Sequence, residues 1–535
     1  MTHRMLQAGR PRRSLRRGLI AALAVAVASA GGAVSATSVE TAPPSEPAEP
    51  TTGGSAKMVM LGSLVAMDPS LHRVSLAYAE GAIMGAVFGH LAYFNPQTGE
   101  VELYFLESLE PNEASTVWTL TLHDGIKFSD GTPMNAEAIK FNIERSADPE
   151  TGSRFQAVAA PLELEVLDEL TLQVTLPAPN PGWAGDLVAN FAGIGSPTAI
   201  QAAIDEGVEV GTRPVGAGPF MVKDWDPGQT ITLERNPYFA EFHPGRPYLD
   251  ELTFENVTDR SQQVSAVASG AAQMTSTIGG GPTAELLESA NAIASHMGGG
   301  ATLNLNTARP PFDDVRARQA LYYALDRSLL AEASTPNTPV VTNLFPASSP
   351  FYDAAYDLPA QNPEEAQRLF DELAAEGKPL EWTLTVTPSP SETALVDTII
   401  AQLAEYENVS FEALFLQPTE QIAASTSGEY QALSWAMQVV SPIPSVYQAV
   451  HPEGYLNPGK WSNDTVAGAL ENLQSATTVE EQKAVWDVVQ EQIIADVPVI
   501  FTGQQINTVG FSDDFIVPRT INIGAFPLWE EVGYR

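Results

Sequence analysis

The chain has 535 residues, 44% apolar and 8% aromatic, a composition that can bury two or three hydrophobic cores and excludes wholesale disorder. Twenty-seven Lys and Arg stand against 65 Asp and Glu, a formal charge of −38, so the surface repels polyphosphate and argues against nucleic acid as a partner. Cysteine is absent, which removes disulfides, thiolate metal sites, thiol nucleophiles and any lipid anchor attached through sulfur.

Residues 1–17 carry six Arg and no acid, residues 18–30 are apolar and Ala-rich, and small-residue sites follow at Ala28-Ser29-Ala30 and Val34-Ser35-Ala36. Charge, apolar core and cleavage site in that order make a secretory signal. The core is shorter than the about 20 residues of a membrane span, although a retained anchor helix is the alternative. Arg16-Arg17-Gly18-Leu19-Ile20 also has the form of a twin-arginine signal. The expectation is a signal peptide over residues 1–36 and an extracytoplasmic mature chain, periplasmic or at the cell surface, with no Cys-linked lipid. Loss of the six arginines takes the charge from −38 to −44. Residues 37–56, rich in Thr, Pro, Ser and Glu, read as a flexible tether, with folding beginning near Met58.

Residues 117–122 alternate, Trp118, Leu120 and Leu122 on one face, and Asp124-Gly125 ends the strand. Lys127-Phe128 reads as a short strand, Asp130-Gly131-Thr132-Pro133 as a turn, and Asn135 as the cap of a helix running through Ile139 and Ile143 toward Arg145. Residues 220–225 and 230–234, separated by Asp226-Pro227-Gly228, read as a hairpin. Asp313-Asp314 opens a helix whose Ala317, Ala320, Leu321, Ala324 and Leu325 form one apolar stripe. Thr478 and Glu481 make a capping box, Val485, Trp486, Val489 and Ile493 continue that helix, Asp496-Val497-Pro498 stops it, and residues 499–501 read as a buried strand. This order of helices, strands and hairpins favours α/β lobes.

Several motifs recur in a fixed order: Met67-Asp68-Pro69; residues 86–91; Leu106-Glu107-Ser108-Leu109-Glu110-Pro111; a long run from Trp118 to Ala138 that extends to Glu144-Arg145; Pro214-Val215-Gly216-Ala217-Gly218-Pro219-Phe220; Glu234-Arg235-Asn236-Pro237-Tyr238; Tyr248-Leu249-Asp250-Glu251; and residues 303–327, with Pro310-Pro311-Phe312-Asp313-Asp314 and Leu325-Asp326-Arg327. In that order they resemble the family 5 extracellular solute-binding proteins of ABC importers, the oligopeptide- and dipeptide-binding type, across nearly the whole mature chain.

The resemblance implies a two-lobed α/β fold like that of the periplasmic binding proteins, type II, of the large class with an extra N-terminal subdomain and with a hinge crossed twice. Lobe I with its subdomain would span residues 57–302, lobe II residues 303–502, and residues 503–535 would return to lobe I. The crossings are expected near residues 298–302 and 501–505. It implies a receptor that captures a peptide or peptide-like solute between the lobes and delivers it to the permease subunits in the membrane. Such a receptor is a monomer, needs no cofactor and is not an enzyme.

Carried over position by position, the resemblance makes Arg73, Val74 and Ser75 the segment lying along the ligand. It places Phe155, in the loop of residues 151–155, where the family has an aromatic. Trp435 matches the Trp of a cleft loop in which peptide binders have an Asp three residues later that pairs with the ligand's α-amino group. Here Gln438 takes that place and Ser441 replaces a second acid, so the charged anchor is missing from the aligned positions. Either a neighbouring acid replaces it or the ligand carries no free ammonium there. A receptor for an oligosaccharide, an opine-like compound or a metal chelate is therefore the alternative, and a secreted hydrolase a remote one. The histidines are scattered without metal-binding spacing. Gly279-Gly280-Gly281 and Gly298-Gly299-Gly300 lack a following Lys-Ser or Lys-Thr, so they read as flexible turns, not phosphate loops. There is no Gly-x-Ser-x-Gly elbow.

Overall fold

The structure of the protein, a computed structural model, describes residues 49–535 apart from 73–77, 335, 337, 348, 440–445, 455, 474–475 and 477. The signal peptide and most of the tether expected from the sequence lie outside the described residues.

Local chemistry places most elements where the sequence puts them. The strand Val117–Leu122 buries Trp118, Leu120 and Leu122 and leaves the alternate residues half-buried, as period-two patterning requires. Asn135 caps the helix Ala136–Ala147 by accepting from the amide of Ala138. Thr478 and Glu481 close both halves of the capping box at the start of the helix Val479–Asp496. Lys127-Phe128 is shorter than expected: one bridge joins Lys127 to Pro133, and the backbone amide of Phe128 donates to Thr132 within the turn. Strand pairing also begins earlier than Met58, at Ser55, and Thr51 already bridges Tyr534.

A ten-stranded mixed sheet organises the molecule. Its strands run in the order Val409–Phe415, Leu380–Val386, Ala432–Val439, Asn291–Leu305, Val499–Phe511, Met274–Ile278, Ser55–Met60, Glu251–Asn256, Thr230–Arg235 and Phe220–Asp226. Two long central strands, Asn291–Leu305 and Val499–Phe511, pair antiparallel from Asn291 opposite Phe511 to Asn304 opposite Val499. The second half of the first carries the strand Ala432–Val439, and the second half of the other carries Met274–Ile278. Each long strand therefore belongs to both halves of the sheet, and each half has its own core.

Gly298, Gly299 and Gly300 lie within the first long strand and are not a flexible turn. The register shifts between His296 and Gly300. Gly299 takes a positive φ of 72°, and a Cβ on it would sit 2.0 Å from the carbonyl oxygen of Met437; one on Gly300 would sit 2.0 Å from that of Gly503. Glycine is required because three strands approach too closely at this bulge to admit a side chain.

In the first lobe, Met58, Phe88 and Phe254 share a core with Phe515, Ile521, Phe526 and Trp529 of the C-terminal segment. The Trp529 indole donates to the carbonyl of Ala82 at 2.8 Å and meets Phe254 edge-on. A four-stranded antiparallel sheet, in the order Leu106–Pro111, Val117–Leu122, Thr171–Thr175 and Glu163–Val166, forms the additional subdomain with a core of its own. The second lobe packs helices on both faces of its part of the sheet, with separate clusters around Trp382 and Trp486.

Candidate ligand-binding site

The loop before the helix Trp183–Phe191 reads Pro177-Ala178-Pro179-Asn180-Pro181-Gly182; its prolines fix φ and remove amide donors, and a turn in which the amide of Trp183 donates to the carbonyl of Asn180 at 3.3 Å leads into the helix. The Asn180 side chain then turns inward. Its oxygen accepts from the amide of Gly182 at 3.0 Å, which fixes the orientation of the group, and its nitrogen donates to Oδ2 of Asp186 at 2.7 Å. On the helix, Trp183, Asp186 and Asn190 are spaced i, i+3 and i+7, so they share one face. That face lines a cavity of about 310 Å³ together with Pro161, Leu162 and Phe191.

Its opposite wall comes from far along the chain: Tyr447 and Gln448 of the helix Tyr447–Val450, and Leu473 at the end of the helix Asp464–Leu473. The cavity thus lies between the additional subdomain and the second lobe. It falls at the lower end of the size range of small-ligand sites and has their character, an apolar and aromatic lining with a few polar groups.

Next to the cavity lies a buried polar network. Arg145 donates from both terminal nitrogens to the two carboxylate oxygens of Asp68, at 2.6 Å each, and also to the Ser70 hydroxyl at 2.9 Å. Ser146 donates to the same hydroxyl, and Ser153 donates to the Ser70 carbonyl at 2.7 Å. A small crevice bordered by Pro69, Ser70 and Asn142 shares Asn190 and Phe191 with this cavity. The Asp68-Pro69-Ser70 turn is thereby locked next to it.

Of the residues expected at the ligand, Arg73, Val74 and Ser75 lie outside the described residues; Ser70, three positions earlier than Arg73, borders the crevice. Phe155 is 1% exposed, inside the subdomain core, with its ring edge-on to Phe191 at 6.4 Å. In this arrangement it has almost no surface for a ligand and backs a residue of the cavity wall from behind. Trp435 is half-buried, paired across the sheet with Thr302, and borders a narrower crevice within the second lobe together with Asn304, Met437 and Trp461. The backbone of Gln438 pairs with Gly299, and its side chain lies outside the described residues, as does Ser441. Neither Phe155 nor Trp435 lines the larger cavity.

Sequence reading missed Asn180, Asp186, Asn190, Tyr447 and Gln448. One signal was available: Asp186 is a lone acid in the otherwise uncharged stretch of residues 170–204. Burial pushes its carboxyl up to about 6, against the opposing hydrogen bond from Asn180. Another perturbed acid reaches the strand that carries Trp435 from far along the chain: Glu392, raised by burial, accepts through Oε1 from Ser434, the residue before Trp435, at 2.8 Å, while its Oε2 is buried without a partner among the described residues. Among the described residues, no three His, Asp or Glu side chains gather in a way that could hold a metal ion.

The family model of the bacterial extracellular solute-binding proteins, family 5, matches residues 100–455. The glutathione-binding protein GsiB of Pectobacterium atrosepticum is 25% identical over 448 residues, covering 78% of this chain and 83% of that protein. The oligopeptide-binding protein AppA of Bacillus subtilis, solved with a nonapeptide, superposes with a TM-score of 0.74 at 18% identity, over 91% of this chain and all of the other. The binding protein AgaA of Agrobacterium tumefaciens, solved with agropinic acid, gives 0.73 at 19% identity, over 90% and 99% of the two chains. Both structures share the fold of this chain.

Proposed function

Because the chain belongs to family 5 of the bacterial extracellular solute-binding proteins, we propose that it captures a peptide or peptide-like solute between its two lobes and hands it intact to the permease of an ABC importer. The observation that carries this reading is the cavity walled by Trp183 and Asp186 on one side and by Tyr447 and Gln448 on the other. A site divided between two bodies excludes water when they close, so a few polar groups in a dry space give affinity without any bond being broken. GsiB is named for a peptide, and AppA was solved holding one.

In this reading the lobes are residues 57–302 and 303–502, residues 503–535 return to the first, and the hinge is the stretch where the two long strands exchange partners, near residues 298–302 and 501–505. Arg73, Val74, Ser75 and Trp435 complete the contacts as the lobes close. Residues 1–36 direct export, and the mature chain works as a monomer that leaves its solute chemically unchanged.

A second reading within the same family has its own support. Gln438 and Ser441 remove the acids that would hold a peptide's ammonium in the loop after Trp435, and AgaA, with the same fold, was solved with agropinic acid. Mass spectrometry of the small molecule that copurifies with the protein separates the two. A peptide supports the first reading; an opine, oligosaccharide or metal chelate supports the second. Saturating ligand at 100 times its Kd should add about 2.7 kcal/mol of stability. If no solute copurifies and none of these classes raises the melting temperature, or if the solute is consumed, the receptor reading fails.

A further inference from the structure

We propose that Asp186 is the counter-charge for a cationic group of the captured solute, and that the solute class is therefore a small primary ammonium with an apolar body. This assignment rests on the receptor reading and deepens it.

The cavity lining contains one charged side chain. Around Asp186 stand Ala157, Val158, Leu162, Leu176, Trp183 and Phe191, with Asn180, Asn190, Tyr447 and Gln448 as the polar company. None of these carries positive charge, and Tyr447 is the other titratable group in the lining. Asp68 has its counter-charge in Arg145, whereas the buried acids Glu392 and Glu530, which lie outside this cavity, accept from the neutral hydroxyls of Ser434 and Tyr104. Asp186 has no counter-charge among the described residues. Its one side-chain partner is neutral Asn180, on Oδ2, and Asn190 is already committed to the backbone carbonyl of residue 186 at 3.0 Å.

A carboxylate taken out of water without a counter-charge is costly, and it is relieved by a proton or by a cation. The carboxyl is pushed up to about 6 by burial, although it sits in the first turn of its helix, where the helix dipole favours the ionised form. A solute ammonium entering the cavity would take the place of that proton and meet the open oxygen, Oδ1. Trp183, Phe191 and Tyr447 would cover the solute's apolar body, and aromatic faces also attract cations. A formal charge of −38 concentrates cations around the molecule as a whole. The acid that the loop after Trp435 lacks would be supplied from the opposite wall.

Two probes differing only at the ammonium test this: leucyl-leucine amide, which carries one positive charge and no carboxylate, and its N-acetyl derivative, which is neutral. Affinities are measured by calorimetry at pH 7 and pH 5 for the wild-type protein and for Asp186→Asn, which keeps an acceptor for Asn180. Wild type should bind the ammonium form at least about tenfold more tightly than the acetylated form at pH 7. That preference should shrink severalfold at pH 5, where the carboxyl is protonated. In Asp186→Asn the two probes should bind within about threefold of each other at both pH values, while the unliganded variant melts no lower than wild type.

A wild-type preference below threefold, the same preference in Asp186→Asn, or no binding of either probe at millimolar concentration overturns the assignment. Equal binding of both probes by wild type removes the role of Asp186 and leaves the receptor reading standing. The receptor reading itself falls only on the copurification and stabilisation results given for it above.

Discussion

The guanidinium of Arg145 grips the carboxylate of Asp68 with two 2.6 Å hydrogen bonds, and both side chains are nearly buried, 12% and 6% exposed. The pair ties the subdomain helix Ala136–Ala147 to the turn that borders the small crevice beside the cavity. Removing one partner strands the other charge away from water, so Arg145→Ala or Asp68→Asn should each cost about 3–5 kcal/mol in chemical denaturation. The double change Arg145→Met with Asp68→Leu should be less destabilising than either single change. If the single variants unfold within about 1 kcal/mol of wild type, the pair is not holding the turn.

The Gly216 and Gly218 motif has a packing reason. A Cβ on Gly216 would lie 2.2 Å from the carbonyl oxygen of Val87 and 2.6 Å from the Cα of Phe88, while the amide of Gly218 donates to that same carbonyl at 2.9 Å. Both clashing groups are main chain and cannot rotate away. Overpacking costs about 1–3 kcal/mol where side chains can give; Gly216→Ala should therefore exceed about 3 kcal/mol in urea denaturation. A milder loss would mean that the helix Tyr78–Phe88 can shift to admit the methyl group.

Glu530 gives the stability a pH dependence. It accepts from the Tyr104 hydroxyl at 2.6 Å, and burial, opposed chiefly by that hydrogen bond, raises its carboxyl from 4.5 to about 7. The folded state then holds a proton that the unfolded state has already released between about pH 4.5 and 7. This group's contribution to stability accordingly falls as pH rises across that window and is flat above it, a change on the order of 3 kcal/mol. Glu530→Gln should abolish that slope and leave the variant more stable than wild type at pH 8. Melting curves from pH 5 to 8 that differ by the same amount for both proteins would rule this out.

Trp435 and Phe155 should separate binding from stability. Half-buried Trp435 changed to Ala is expected to weaken the copurifying solute by more than ~1 kcal/mol. Fully buried Phe155 changed to Ala should cost about 3–5 kcal/mol of folding stability instead. Solute titrations alongside denaturation measure both. Unchanged affinity in the Trp435 variant would take that residue out of the site.

The sequence alone determined the local elements, because their signals are local. Alternation in residues 117–122, the cap at Asn135, and the Thr478 and Glu481 box each act within a few residues. The ordered motifs carried the family in the same way, since each is a contiguous run. Tertiary structure alone decided which runs meet. Asp68 and Arg145 were both marked as motif positions, yet nothing in either segment says that they pair. Residues 298–300 read as a turn because three glycines weaken a strand, and only the close passage of Met437 and Gly503 explains them. The cavity is the extreme case: its two walls, around Asp186 and Tyr447, come from distant parts of the chain, and their meeting depends on how the lobes pack, a property that no local window of sequence contains.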